Sequence, residues 1–225
     1  MQAHVHSGPA VVEAVRLPEE ELARRNWYLM LARLFRAPPD AGTLAAIAQA
    51  GGRDAAGTNL ASPPVPDDAA PLERAFAELA DACRQASVDA VRQEYDSVFL
   101  GVGKAEVFLY ASWYLTGFLH DRILVELRDR MTEFGLQRRE DIGETEDHFS
   151  ALCETMALLI ESADPRLSSI GTQRTFFTQY LAPWFERLCE AIERCGFTDF
   201  YKHAGRAARA FLDVERQAFE FDEKE

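Results

Sequence analysis

The stretch Glu144-Thr145-Glu146-Asp147-His148, followed by Phe149-Ser150-Ala151-Leu152-Cys153-Glu154-Thr155-Met156-Ala157-Leu158-Leu159-Ile160, decides the fold class. Phe149, Leu152, Met156, Leu159 and Ile160 recur at three- and four-residue steps, which places them on one face of an α-helix rather than on alternating sides of a strand. The acids before them complement the positive end of a helix dipole, and Asp164-Pro165 stops the run. The pattern predicts a helix from near Thr145 to Asp164.

The same period extends outward in both directions. Leu22, Leu29, Ala32 and Phe35, beside Tyr28, Leu31 and Leu34, mark a core helix over 19–35 that ends at Pro38-Pro39. Asp40 caps an Ala-rich helix ending at Gly51-Gly52, and Asp68 with Pro71 opens another that runs to about Ala86. Ser87 is the expected cap of a helix whose stripe is Val88, Val91, Tyr95 and Val98, ended by Gly101 and Gly103. Lys104 to Ser112 reads as an ordered loop, and Trp113 to Gly135 as one helix through Ile123, Leu124, Leu127 and Met131. Helices over 172–180 and 183–195 are separated by Pro183, and Thr198 is the expected cap of a last helix carrying Phe200, Tyr201, Ala204, Ala208, Phe211 and Val214. No strand and no internal repeat is legible. The expectation is an all-α chain of roughly eight to ten helices, with a loosely ordered N-terminus (1–18), one compact helical domain (19–220) containing a mobile Pro/Gly/Ala-rich loop at 52–68, and an acidic tail (221–225).

With 225 residues, 48% of them hydrophobic, the chain can bury a sizeable core. A formal charge of -13 disfavours nucleic acid, whose binding relies on neutralisation by Lys and Arg. Cys83, Cys153, Cys189 and Cys195 lack CxxC or zinc-ligand spacing and read as buried thiols of a reducing compartment. No segment approaches the roughly 18 apolar residues of a membrane span, and the start lacks an export signal's basic-then-apolar pattern, so a cytoplasmic protein is expected. No nucleophile elbow, phosphate loop, HExxH or Glu-x-x-His pair is present, so no catalytic residue, metal or cofactor is expected.

Two clusters stand out. In Glu144-Thr145-Glu146-Asp147-His148, either Thr145 and the acids cap a helix while His148 makes a buried hydrogen bond, or the carboxylates receive a partner's arginines in charge-assisted, often bidentate bonds. Tyr95-Asp96-Ser97-Val98-Phe99-Leu100-Gly101, with Phe108-Leu109-Tyr110-Ala111-Ser112-Trp113-Tyr114, is dense in rings that either fill a core or wall a groove for an apolar peptide.

Together these clusters resemble the TorD/DmsD family, relatives of the NarJ-type chaperones, which carry a Tyr-x-x-Leu-Phe-x-Gly segment, a Tyr/Trp-x-Ser loop and a Glu-Pro-x-Asp-His motif in that order. The matching stretches are Tyr95 to Gly101, Tyr110-Ala111-Ser112 and Glu144 to His148. Phe176 to Trp184 and Phe200-Tyr201 are similar to the family's closing helices. Val98, Val102, Thr145 and Tyr180 depart from the family's usual Leu, Pro, Pro and His.

The resemblance implies a non-catalytic chaperone that binds the twin-arginine signal peptide or the apo form of a molybdenum oxidoreductase catalytic subunit until its cofactor is inserted. It implies client-binding residues among Tyr95, Phe99, Tyr110, Ser112, Trp113, Glu144, Glu146, Asp147 and His148, in a monomer or homodimer. Asp147 is expected at an exposed rim, so that Asp147→Ala weakens peptide binding in a salt-dependent way with the fold intact. The alternatives are a NarJ-type chaperone for a non-exported molybdoenzyme, a plain dimeric scaffold, and a helical nucleotide-binding hydrolase with Glu144, Asp147 and His148 in its pocket.

Overall fold

The computed structural model describes residues 17–51, 70–101, 104–119, 121–136 and 143–222. The expected loose start, save for its last two residues, the loop at 52–68 and the end of the acidic tail lie outside the described residues. Among those described, the chain forms ten α-helices: α1 (Glu19–Arg36), α2 (Ala41–Ala50), α3 (Pro71–Gln85), α4 (Val88–Tyr95), α5 (Ala111–Thr116), α6 (Arg122–Glu133), α7 (Phe149–Glu161), α8 (Ile170–Tyr180), α9 (Phe185–Arg194) and α10 (Phe200–Asp222). A π-helical turn, Asp96–Leu100, continues α4. The all-α expectation holds.

The core is organised around α7. Phe149, Leu152, Cys153, Met156, Ala157, Leu159 and Ile160 are all buried, a helix enclosed on most sides. Helix α1 lies antiparallel against it. Arg25 pairs with Glu161 at one end and Arg36 with Glu154 at the other, at 2.5 and 2.6 Å. The buried face of α1 is Tyr28, Leu31, Ala32, Leu34 and Phe35. Leu22, expected on this face, is 44% exposed, because the first turn of α1 runs past Glu161, the last residue of α7. Buried Glu215 of α10 accepts Arg24 Nε and Nη2 at 2.7 and 2.8 Å and the Tyr28 hydroxyl at 2.9 Å. That network satisfies a carboxylate that would otherwise be costly to bury.

Local expectations fared unevenly. Asp40 caps α2, accepting the Thr43 amide, and Pro71 occupies the first position of α3. Ser87 sits at the start of α4 without a side-chain capping bond. The single helix expected from Trp113 to Gly135 is two, because Gly117 adopts φ 82° and ends α5, and Asp121 caps α6 by accepting the Arg122 amide. At the end of α4 the amide of Gly101 bonds five residues back to Asp96 at 2.7 Å. This wider turn carries both Val98 and Phe99 into the core. Gly101 itself has φ 63°, and a Cβ there would lie 2.0 Å from the Lys104 carbonyl oxygen, so only glycine fits.

Cys83, Cys153 and Cys189 are buried and Cys195 half-buried, all as thiols. Burial pushes Cys83 and Cys189 up to about 12, which keeps them protonated and unreactive at neutral pH.

The cap of α10 comes from far along the chain. Thr198 does not supply it, because its hydroxyl donates back to the Ile192 and Cys195 carbonyls at the end of α9. The Glu94 carboxylate instead accepts the amides of Asp199, Phe200 and Tyr201 at 2.9, 3.0 and 2.7 Å. A charged acceptor on three unpaired donors is favourable hydrogen bonding and favourable dipole electrostatics at once. Glu94→Ala is expected to cost about 2 kcal/mol, with Glu94→Gln costing less, as read from urea unfolding.

Candidate functional site

Two segments about forty residues apart close on each other. Tyr110 and His148 form an isolated antiparallel bridge. The Phe149 amide donates to the Leu109 carbonyl at 2.7 Å, and the Ala111 amide to the Asp147 carbonyl at 2.9 Å. The loop before α5 and the turn before α7 thus form one short two-stranded element. Its alternation turns Val107 and Leu109 into the core and leaves Phe108 and Tyr110 half-buried. Phe108 packs on Trp113, itself half-buried, with ring centroids 4.3 Å apart.

Asp147 locks this junction. It is fully buried. One carboxylate oxygen accepts the Ser112 amide at 3.1 Å and the Ser112 hydroxyl at 2.6 Å, and the other accepts the Thr145 hydroxyl at 2.5 Å. The exposed-rim role expected of Asp147 is therefore corrected, since its acceptors face inward and are used within the chain. Ser112, also fully buried, is its partner rather than a surface contact.

The helix expected from Thr145 begins at Phe149, and His148 is its cap. His148 Nδ1 accepts the Ser150 amide at 3.2 Å and lies 2.7 Å from the Ser150 hydroxyl. Burial lowers its pKa from 6.5 to about 4, opposed by the neighbouring Asp147 charge and reinforced by Arg36. The ring is consequently neutral at physiological pH, which suits an accepting nitrogen.

The remaining sequence candidates divide by depth. Tyr95 and Phe99 are buried. Tyr95 donates to the Phe35 and Arg36 carbonyls, and both rings join Tyr201 and Phe35 in one aromatic cluster. They fill the core and do not wall a groove. Glu146 is 9% exposed and pairs with Arg128 of α6 at 3.0 Å. Glu144 is half-buried and near Tyr110. Burial first, then the charges of Glu144 and Asp147, raise the Tyr110 pKa. Phe108, Tyr110, Trp113 and Glu144 are left half-buried, and Phe118, just past the α5 break, is 72% exposed.

Sequence reading missed Arg128 and Phe118. Nothing local links Arg128 to Glu146, eighteen residues on. No local signal marked Phe118 as exposed, since an apolar residue after a left-handed glycine often packs back on the helix it follows. The hydrolase pocket of Glu144, Asp147 and His148 is not assembled, because Asp147 and His148 are buried and committed to the bonds above. Among the described residues no group of His, Cys, Asp and Glu could hold a metal, and no helix is long and apolar enough to cross a membrane.

Residues 65–190 match the family model of the nitrate reductase delta subunit. The chaperone protein TorD of Vibrio cholerae serotype O1 is 23% identical over 134 residues, covering 56% of this chain and 61% of that protein. TorD of Photobacterium profundum is 27% identical over 115 residues, covering 46% of this chain and 53% of that protein. The match thus spans about three-fifths or less of these relatives' length. A crystal structure from Archaeoglobus fulgidus, provisionally assigned to redox enzyme maturation, superposes with a TM-score of 0.53 at 19% identity over 84% of this chain and 93% of that one. At that identity the likeness speaks for the fold.

Two outcomes follow from the junction. Asp147→Ala is expected to destabilise the protein by about 3 kcal/mol in urea unfolding, because it strands the buried hydroxyl and amide of Ser112 and the half-buried Thr145 hydroxyl. For His148, the folded value lies below the unfolded one, so the unfolded chain binds the extra proton between pH 6.5 and about 4. Its contribution is complete above pH 6.5 and is lost as pH falls towards 4, by at most about 3 kcal/mol. His148→Asn keeps a capping oxygen without the titration, and unfolding midpoints at pH 7, 6 and 5 should fall less steeply in that variant than in the parent.

Proposed function

The chain belongs to the nitrate reductase delta subunit family, and on that premise we propose that it is a redox-enzyme maturation chaperone. It holds the twin-arginine signal peptide or the apo form of a molybdenum oxidoreductase catalytic subunit in the cytoplasm while the cofactor is inserted. It binds and does not catalyse, as the name chaperone carried by its relatives supports. The observation that carries the reading is the backbone bridge between Tyr110 and His148, which sets half-buried rings beside an acidic turn.

The mechanism divides between the two chemistries. Peptide arginines meet Glu144 and Glu146 in charge-assisted hydrogen bonds that steer encounter and select the sequence. The apolar stretch of the peptide covers Phe108, Tyr110, Trp113 and Phe118, and burial of this surface at about 25 cal/mol per Å² supplies most of the affinity. Asp147, His148, Ser112, Tyr95 and Phe99 act indirectly, by holding the surface in shape.

The family's name points to a nitrate reductase, and the second reading is a molybdoenzyme client of that kind without an export signal. Calorimetric titration with a signal peptide separates the two. Export proofreading requires binding that is lost when both peptide arginines become alanine. Glu144→Gln should weaken it about fivefold at low ionic strength and by less in high salt. Trp113→Ala should weaken it about tenfold at either salt concentration. Identical titrations for the native and the arginine-free peptide would discard the signal-peptide reading, and co-purification of a molybdoenzyme lacking such a signal would establish the second.

A further inference from the structure

Three hydrogen-bonded side chains, Thr145, Asp147 and Ser112, join the acidic turn to the start of α5. Ser112 is the second residue of α5 and gives Asp147 Oδ2 both its amide and its hydroxyl. Thr145 stands between Glu144 and Glu146, gives Asp147 Oδ1 its hydroxyl at 2.5 Å, and accepts the His148 amide on its own carbonyl at 3.0 Å. Asp147 and Ser112 are fully buried, whereas Thr145 is half-buried at the outer end of the chain of bonds.

The two oxygens of Asp147 belong to one rotor. Among the described residues Thr145 is the donor to Oδ1, and a buried carboxylate oxygen without a donor is strongly disfavoured. The available relief is rotation of the carboxylate, which also draws Oδ2 away from Ser112. The Thr145 hydroxyl therefore decides whether the acidic turn and the first turn of α5 hold one arrangement or several. We propose that Thr145 is a positioning residue that couples the acidic half of the candidate site to its aromatic half, where Trp113 directly follows Ser112 and packs on Phe108. The proposal rests on the peptide-binding reading above and deepens it, and it requires no contact between the threonine and the client. A turn and a ring held at one separation are met together by a single extended segment, and their ordering precedes binding.

Thr145→Val removes the hydroxyl and keeps the branched shape, Thr145→Ala removes both, and Thr145→Ser keeps the hydroxyl. In NMR spectra of the full-length protein, the Ser112 amide proton should move upfield in the valine and alanine variants and return towards its parental position in the serine variant. A loss of stability alone would leave that native-state resonance in place. In calorimetry the twin-arginine peptide should bind Thr145→Val about fivefold more weakly than the parent, and Thr145→Ser should recover most of that affinity. An unmoved Ser112 resonance in the hydroxyl-free variants overturns the proposal, and so does undiminished peptide affinity in a variant whose resonance has moved. If the parent binds no such peptide, the signal-peptide reading fails, and the Ser112 resonance still decides whether Thr145 couples the two segments.

Discussion

Asp147 accepts hydrogen bonds from Ser112 and Thr145 at the point where the chain before α5 meets the chain before α7. A carboxylate with no exposure is tolerable only when its oxygens are saturated, so this contact permits little slack. It sets the register of the Tyr110–His148 bridge, which fixes where α7 starts and hence how the central helix presents Phe149 to Phe35 and Trp184. The same register decides that Leu109 goes inward and that Phe108 and Tyr110 lie towards solvent.

Around this junction the molecule uses polar side chains at long range where local capping fails. Glu94 caps α10 from α4, Glu215 of α10 receives Arg24 and Tyr28 of α1, and Tyr201 donates to the Leu34 carbonyl. Each bond joins elements distant in sequence, so together they restrict how the helices can pack. The π-turn at Asp96–Leu100 serves the same end, bringing Phe99 against Tyr95 and Tyr201 beneath the junction.

The family motifs therefore act mainly as architecture. Tyr95, Phe99, Ser112, Asp147 and His148 are interior, whereas their neighbours Phe108, Tyr110, Trp113 and Glu144 are half-buried. The residues that carry the family resemblance are held by the junction's hydrogen bonds and by ring packing, which leaves them few alternatives. Side chains that touch a partner face water in the unbound protein and are less constrained by packing.

Helix class and most helix positions were legible in the chain because periodicity, prolines and glycines act over a few residues. The stripes Val91–Tyr95–Val98 and Phe149–Leu152–Met156 were correctly placed inside. What sequence alone determined is thus the all-α architecture and most of its helix positions. Only the tertiary structure decided that Asp147 is a buried latch, that His148 caps α7, that Glu94 caps α10 and that Arg128 covers Glu146. Each of these depends on which partner lies within about 3 Å across the fold, and residue type and local spacing do not encode that distance.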